Sequence, residues 1–236
     1  MSSTLAPSSS LAVTVRRAPA GGHDSHLWPP AIAARDIIEH GTPQRGLPDE
    51  VNEFRARNLR NLWRGARRIA IARRHGIGHV YGALFLAVYR GDGEVLPYGL
   101  ASLRVVTDTG VGYIVDAFQN TVELENMKYH GFGTGTTAEA AAQTALVTEL
   151  TTQYAADSTR PTGTTTEGAS ANIYRTVATL SPDTGGTIAV TEHGIFSQAA
   201  TGGGVMLDRS VFSAVNLVAG SDSMTATYDL TFPSGS

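Results

Sequence analysis

Apolar and polar positions change period along this chain. Between residues 48 and 75 the apolar ones return every three or four positions. At 100° per residue Val51, Phe54, Leu62, Ala66 and Ile69 share one face, and Arg57, Arg60, Arg64, Arg67 and Arg68 share the opposite one. Pro48 suits a first helical position, Asp49, Glu50 and Glu53 the positive end of a helix, and Arg73, Arg74 and His75 the negative end before Gly76. The pattern therefore predicts an amphipathic helix over 48–75, with Arg55 breaking the division of faces.

From residue 83 the period shortens to that of strands. ALFLAVYR and EVLPYGLASLRVV flank Gly91-Asp92-Gly93, which predicts a hairpin, and Pro97 predicts that its second strand is an edge or carries a bulge. Thr107 then precedes Val111, Ile114, Val115 and Phe118, a capped short helix with an apolar stripe. Further strands are expected over 127–133, 145–153, 171–180, 187–197, 204–217 and 223–232; in the last, Tyr228, Leu230 and Phe232 alternate with Asp229 and Thr231. The stretch TEHGIFSQAATGGGVMLDRSVFS (191–213) reads as two strands reversed at Gly202-Gly203-Gly204.

Many short strands without interleaved long helices predict a mainly β chain, an antiparallel β-sandwich with one or two short helices. The sandwich is expected over 81–236, the basic helix and a linker over 48–80, and an extended N-terminal arm, rich in Ser, Pro, Ala and Gly, over 1–47.

Charge divides the chain. Residues 1–90 carry 13 arginines against 6 acidic residues, a net +7, whereas 91–236 carry 5 basic against 15 acidic residues, a net −10. Such asymmetry implies two tasks, or an assembly in which one copy's basic part meets another's acidic part. The arginine face (Arg57, Arg60, Arg64, Arg67, Arg68) is the candidate partner-binding surface; a solvated face, an acidic protein and nucleic acid each fit it. The longest apolar stretch, Ala83 to Val88, is too short for a membrane span, and MSSTLAPSSS lacks the basic and apolar segments of a secretory signal, so cytoplasmic synthesis is expected. With no cysteine, disulfides, thiolate metal sites and a cysteine nucleophile are excluded.

Candidate chemistry dissolves on inspection. Gly131, Gly133 and Gly135 are spaced GxGxG with no following Lys-Ser/Thr, so a glycine-rich turn with Thr136 or Thr137 capping a short helix is expected in place of a phosphate loop. His75 and His79 are separated by glycines, Glu192-His193 has no HExxH context, and Asp208-Arg209 reads as a strand-end ion pair. Tyr129, Phe132 and Tyr154 are the candidates for a carbohydrate-binding aromatic face. No catalytic set, metal or cofactor is expected, and the chain is read as non-enzymatic.

GTGTT at 133–137 followed by TALVTEL, then TEHGIFS, GGVMLDRSVFS and a terminal YDLTF, resembles a recurrent module in structural proteins of tailed bacteriophages. The resembling blocks are 98–120, 128–150, 166–177 and 190–232; the first 80 residues carry no such resemblance. The resemblance implies a virion protein that decorates or cements the head, its acidic sandwich outward and its arm and basic helix clamping the major capsid protein or other virion proteins. A tail, collar or fibre-attachment component is the alternative place, and a nucleic-acid-binding protein the alternative class. By the same analogy a homo-oligomer, a trimer first, is expected.

Overall fold

The computed structural model describes residues 37–75 and 80–233. The chain is mainly β. Helix α1 (Asp49–Arg74) is followed by strands β1 (Tyr81–Tyr89) and β2 (Val95–Val105), helix α2 (Asp108–Phe118), and strands β3 (Tyr129–Gly133), β4 (Thr164–Glu167), β5 (Ile173–Leu180), β6 (Thr187–Phe196), β7 (Met206–Val218) and β8 (Ser223–Thr231). A five-stranded sheet in the order β2-β1-β8-β5-β4 faces a three-stranded sheet β3-β6-β7, and all pairings are antiparallel. Leu84, Leu86, Val88, Leu180, Met224 and Ala226 from the first sheet pack against Phe132, Ile188, Val190, Phe212, Val215 and Leu217 from the second. This is the expected antiparallel sandwich.

Unpaired sheet edges must find other hydrogen-bond partners or solvent. At β2 that partner is α1. Arg55 donates Nε to the Tyr98 carbonyl (3.1 Å) and a terminal nitrogen to that of Pro97 (2.9 Å), and Asn58 donates to the carbonyl of Ala101. Arg55 breaks the apolar face in the sequence because it caps a strand edge. A Cβ on Gly65 would collide with the Leu103 carbonyl, so this glycine lets the helix backbone close on the strand. The first turns of α1 add Val51 and Phe54 to the core between the sheets; the later turns lay Leu62, Ala66 and Ile69 against Tyr81, Ala83, Leu100 and Leu103. Helix and sandwich thus share two buried clusters across the expected boundary at residue 80. Pro97 lies in this edge strand, beside the register shifts between β1 and β2.

The β3 edge is covered by the segment between β3 and β4. Leu150 N–H bonds to the Phe132 carbonyl, Thr134 N–H to that of Thr148, and His130 N–H to that of Pro161, at 2.8–2.9 Å. Here two expectations fail. Residues 145–153 form no strand of their own, only an isolated bridge at Glu149, and no helix follows Thr136 or Thr137. Gly131 and Gly133 lie inside β3, not in a turn, and their missing side chains make room for Leu146, Thr148 and Glu149 of the covering segment. Edge β4 has its four residues exposed and was missed in the sequence, because TTTE lacks any apolar alternation.

Helix α2 departs from its stripe. Thr107 caps it, accepting from Gly110 N–H (3.0 Å) while donating to the Met206 carbonyl (2.5 Å) at the start of β7. Gly110 sits so close to β7 that a Cβ there would lie 2.6 Å from the Leu207 carbonyl oxygen. The cap and this close approach fix the helix's rotation, burying Gly110 and Tyr113 and leaving Val111, Val115 and Phe118 exposed.

The expected extended arm lies outside the described residues up to residue 36. Its last part is not extended throughout: Ile37–Gly41 form a π-helical turn with Ile37 buried beside Leu62 and Leu100. Replacing Arg55 by Met, of similar length, leaves the Tyr98 and Pro97 carbonyls without their donor and is expected to cost about 2–4 kcal/mol, measured by urea unfolding.

Candidate functional site

The arginine face is built from the sheet outward. Residues 51, 54, 55, 58, 62, 65, 66 and 69 are turned inward, which forces the intervening positions into solvent. The helix is also pinned at its start, where Glu50 pairs with Arg90 (2.8 Å) and Arg90 with Asp222 (2.7 Å). These two carboxylates hold the Arg90 guanidinium pKa above its ordinary range, against the effect of burial. The helix therefore cannot roll without breaking buried contacts along its length.

Arg57, Arg60, Arg64, Arg67 and Arg68 are all exposed, as the helical period predicted. Arg57 pairs with Glu53 one turn earlier (2.7 Å), and both side chains are about two-thirds exposed (67% and 64%), so the contact is weak. Among the described residues the other four arginines make no ion pair. Two apolar side chains share this surface: Ile71, 49% exposed, falls between the arginines by helical angle, and Trp63, 37% exposed, borders them. Their place here was missed in the sequence, where only the charged positions were assigned to this face. Charge without partners, mixed with exposed apolar area on a fixed support, suits docking to an anionic surface.

The residues that looked catalytic serve the interior. Glu192 is fully buried and accepts from Gly135, Val147 and Thr148 N–H groups (2.7–3.1 Å) and from Arg209 (2.6 Å). Arg209 continues to the Thr137 carbonyl and to Gln143, both at 3.0 Å. The expected strand-end pairing of Asp208 with Arg209 does not form, since neighbouring strand residues point to opposite faces. Arg160 repeats the device: it binds Glu149, donates to the Gln198 and Gly203 carbonyls, and lies 3.5 Å over the Phe196 ring. Of the three aromatic candidates, Phe132 and Tyr154 are core residues; Tyr129 is partly buried. His75 is exposed at the end of α1, and His79 lies outside the described residues. No cluster of three or more potential metal ligands occurs among the described residues, and no helix there is long and apolar enough to cross a membrane.

On the inner face of the smaller sheet, His130 and His193 are linked at 2.9 Å, and His130 reaches Thr176 of the facing sheet at 3.1 Å. Burial pushes the His130 pKa down to about 3, and burial with the neighbouring His130 holds His193 well below the usual range. Burial raises the Asp208 carboxyl to about 7, partly countered by its Ser210 hydrogen bond.

Neither the described protein families nor the curated proteins provide a match to this chain.

These groups set the pH dependence of stability. The unfolded histidines take up protons near pH 6.5 while the folded ones stay neutral, so their contribution is complete above that pH and is lost on acidification, for His130 down to about pH 3. Asp208 acts oppositely, its cost growing as pH rises from about 4 to about 7. Stability is expected to peak near pH 6.5–7 and to fall below it by about 1.4 kcal/mol per pH unit, two histidines opposed by one carboxyl. Asp208→Asn should steepen that acid limb to about 2.7 kcal/mol per unit in urea titrations at several pH values.

Proposed function

We propose that this protein is a structural component of a tailed-phage particle, attached to an acidic surface of a neighbouring virion protein through the arginine face of α1. It decorates or cements the head by binding, not turnover. The observation that carries the docking face is the set of exposed arginines on a helix fixed along the sheet edge, with Ile71 among them and Trp63 at their border. The phage context is supported by the sequence blocks at 98–120, 128–150, 166–177 and 190–232.

A protein partner is favoured over nucleic acid by charge and composition. Residues 91–236 carry a net −10, which repels a polyanion. Single-strand binders interleave basic and stacking side chains, whereas this face has Trp63 at its border. A rigid arginine array with exposed aliphatic area suits desolvated carboxylate pairs.

Replacing Arg60, Arg64 and Arg67 together by Glu is expected to weaken attachment to DNA-free heads about 100-fold or more, measured with labelled protein and purified particles. Thermal melting of the variant checks that the fold is intact. Wild-type protein that bound only DNA-filled heads, or free duplex with a steep salt dependence, would transfer the face to nucleic acid. Attachment to isolated tails and not to heads would move the protein to the tail or collar.

A further inference from the structure

The outward turn of α2 creates a second surface. Val111 and Val115 are each 50% exposed, Phe118 85% and Leu124 45%, a run of apolar area that no described residue covers. Asp108, Asp116, Glu123 and Glu125 stand exposed around it, and none of them makes an ion pair among the described residues. Apolar area rimmed by uncompensated acid repels nucleic acid and anionic lipid, and calls for a partner that is basic and apolar together.

The chain carries such a surface itself. On α1, the unpaired Arg60, Arg64, Arg67 and Arg68 stand with exposed Ile71 and Trp63. We infer that the α2 surface of one copy is the acidic partner of the α1 surface of another. The inference rests on reading α1 as a protein-docking face and names its partner.

Three properties match. Four arginines face four carboxylates. At 1.5 Å per residue, Arg60 to Ile71 spans about 17 Å and Asp108 to Phe118 about 15 Å, so the helical parts of the two footprints are of similar length, with Glu123, Leu124 and Glu125 just beyond the end of α2. Each surface offers apolar side chains between its charges, so pairing removes Phe118, Val115, Ile71 and Trp63 from water while the charges fix register. Because the two surfaces differ, the contact is heterologous: an open assembly still presents one free surface of each kind, one at each end. Such contacts close into a ring or extend as a chain.

Sedimentation velocity of the full chain, at about 50 mM and about 500 mM salt, tests this. Wild-type protein is expected to associate at low salt, more than 10-fold more weakly at high salt. An α1 variant (Arg60→Glu, Arg64→Glu, Arg67→Glu) and an α2 variant (Asp116→Arg, Phe118→Ser, Glu123→Arg) should each be monomeric. Mixed, they should form a 1:1 complex, the intact α2 of the first meeting the intact α1 of the second, and grow no further, because the charge-reversed pair of surfaces that remains lacks Phe118. A chain that carries Asp116→Arg and Glu123→Arg together with the three arginine reversals should recover association. Wild-type protein that stays monomeric at low salt, or association that survives both variants, overturns the inference. If the α1 variant then still loses its hold on heads, the docking reading of α1 stands and only the identity of its partner falls.

Discussion

Two stacked sheets leave four strand edges, and each unpaired backbone group along them needs water or a partner. The rest of this fold follows from how those edges are met. At β2 the partner is α1, through Arg55 and Asn58. At β3 it is the segment between β3 and β4, and at β7 it is Thr107 and Glu139, which bond Met206, Leu207 and Val211. The remaining edge, β4, is four residues long and exposed, with Glu167 at its end. A short edge ending in a charge is a poor template for further pairing.

This separates two sets of arginines from Arg90, Arg104 and Arg175, which form partly buried ion pairs. Arg55, Arg160 and Arg209 are buried, and each engages all three guanidinium nitrogens with oxygen acceptors from other segments of the chain. Removing one partner of such a set strands the other in a low-dielectric interior, so these residues are architectural. The arginines of the outer face of α1 are left over after that sorting. They owe their exposure to the same contact, since the side chains that grip β2 turn the opposite face to solvent.

Helix α2 obeys a stricter geometric condition. Gly110 permits a backbone approach to β7 that any side chain would block, and the Thr107 cap ties the helix start to the same strand. Those contacts outweigh burial of the apolar stripe. The result is a protein whose basic and acidic halves each present a mixed charged and apolar helix face, both set rigidly on one core.

Local periodicity determined much of this architecture. The amphipathic division of α1, the hairpins around Gly91-Asp92-Gly93 and Gly202-Gly203-Gly204, and the inward Tyr228 and Leu230 of β8 were legible, because they depend on neighbours a few residues apart, whereas Phe232 lies past the strand and is exposed and Asp229 is buried. The five exposed arginines were legible for the same reason. The sequence did not reveal that residues 145–153 would serve as an edge cover without forming a strand, that Arg209 would pair with Glu192 and not Asp208, or that Val111, Val115 and Phe118 would face solvent. Each of these was decided by tertiary structure, since it depends on an acceptor, an edge or a close backbone approach supplied by a distant segment. Where a helix stripe competes with a fixed backbone contact, steric exclusion at one glycine overrides the apolar period.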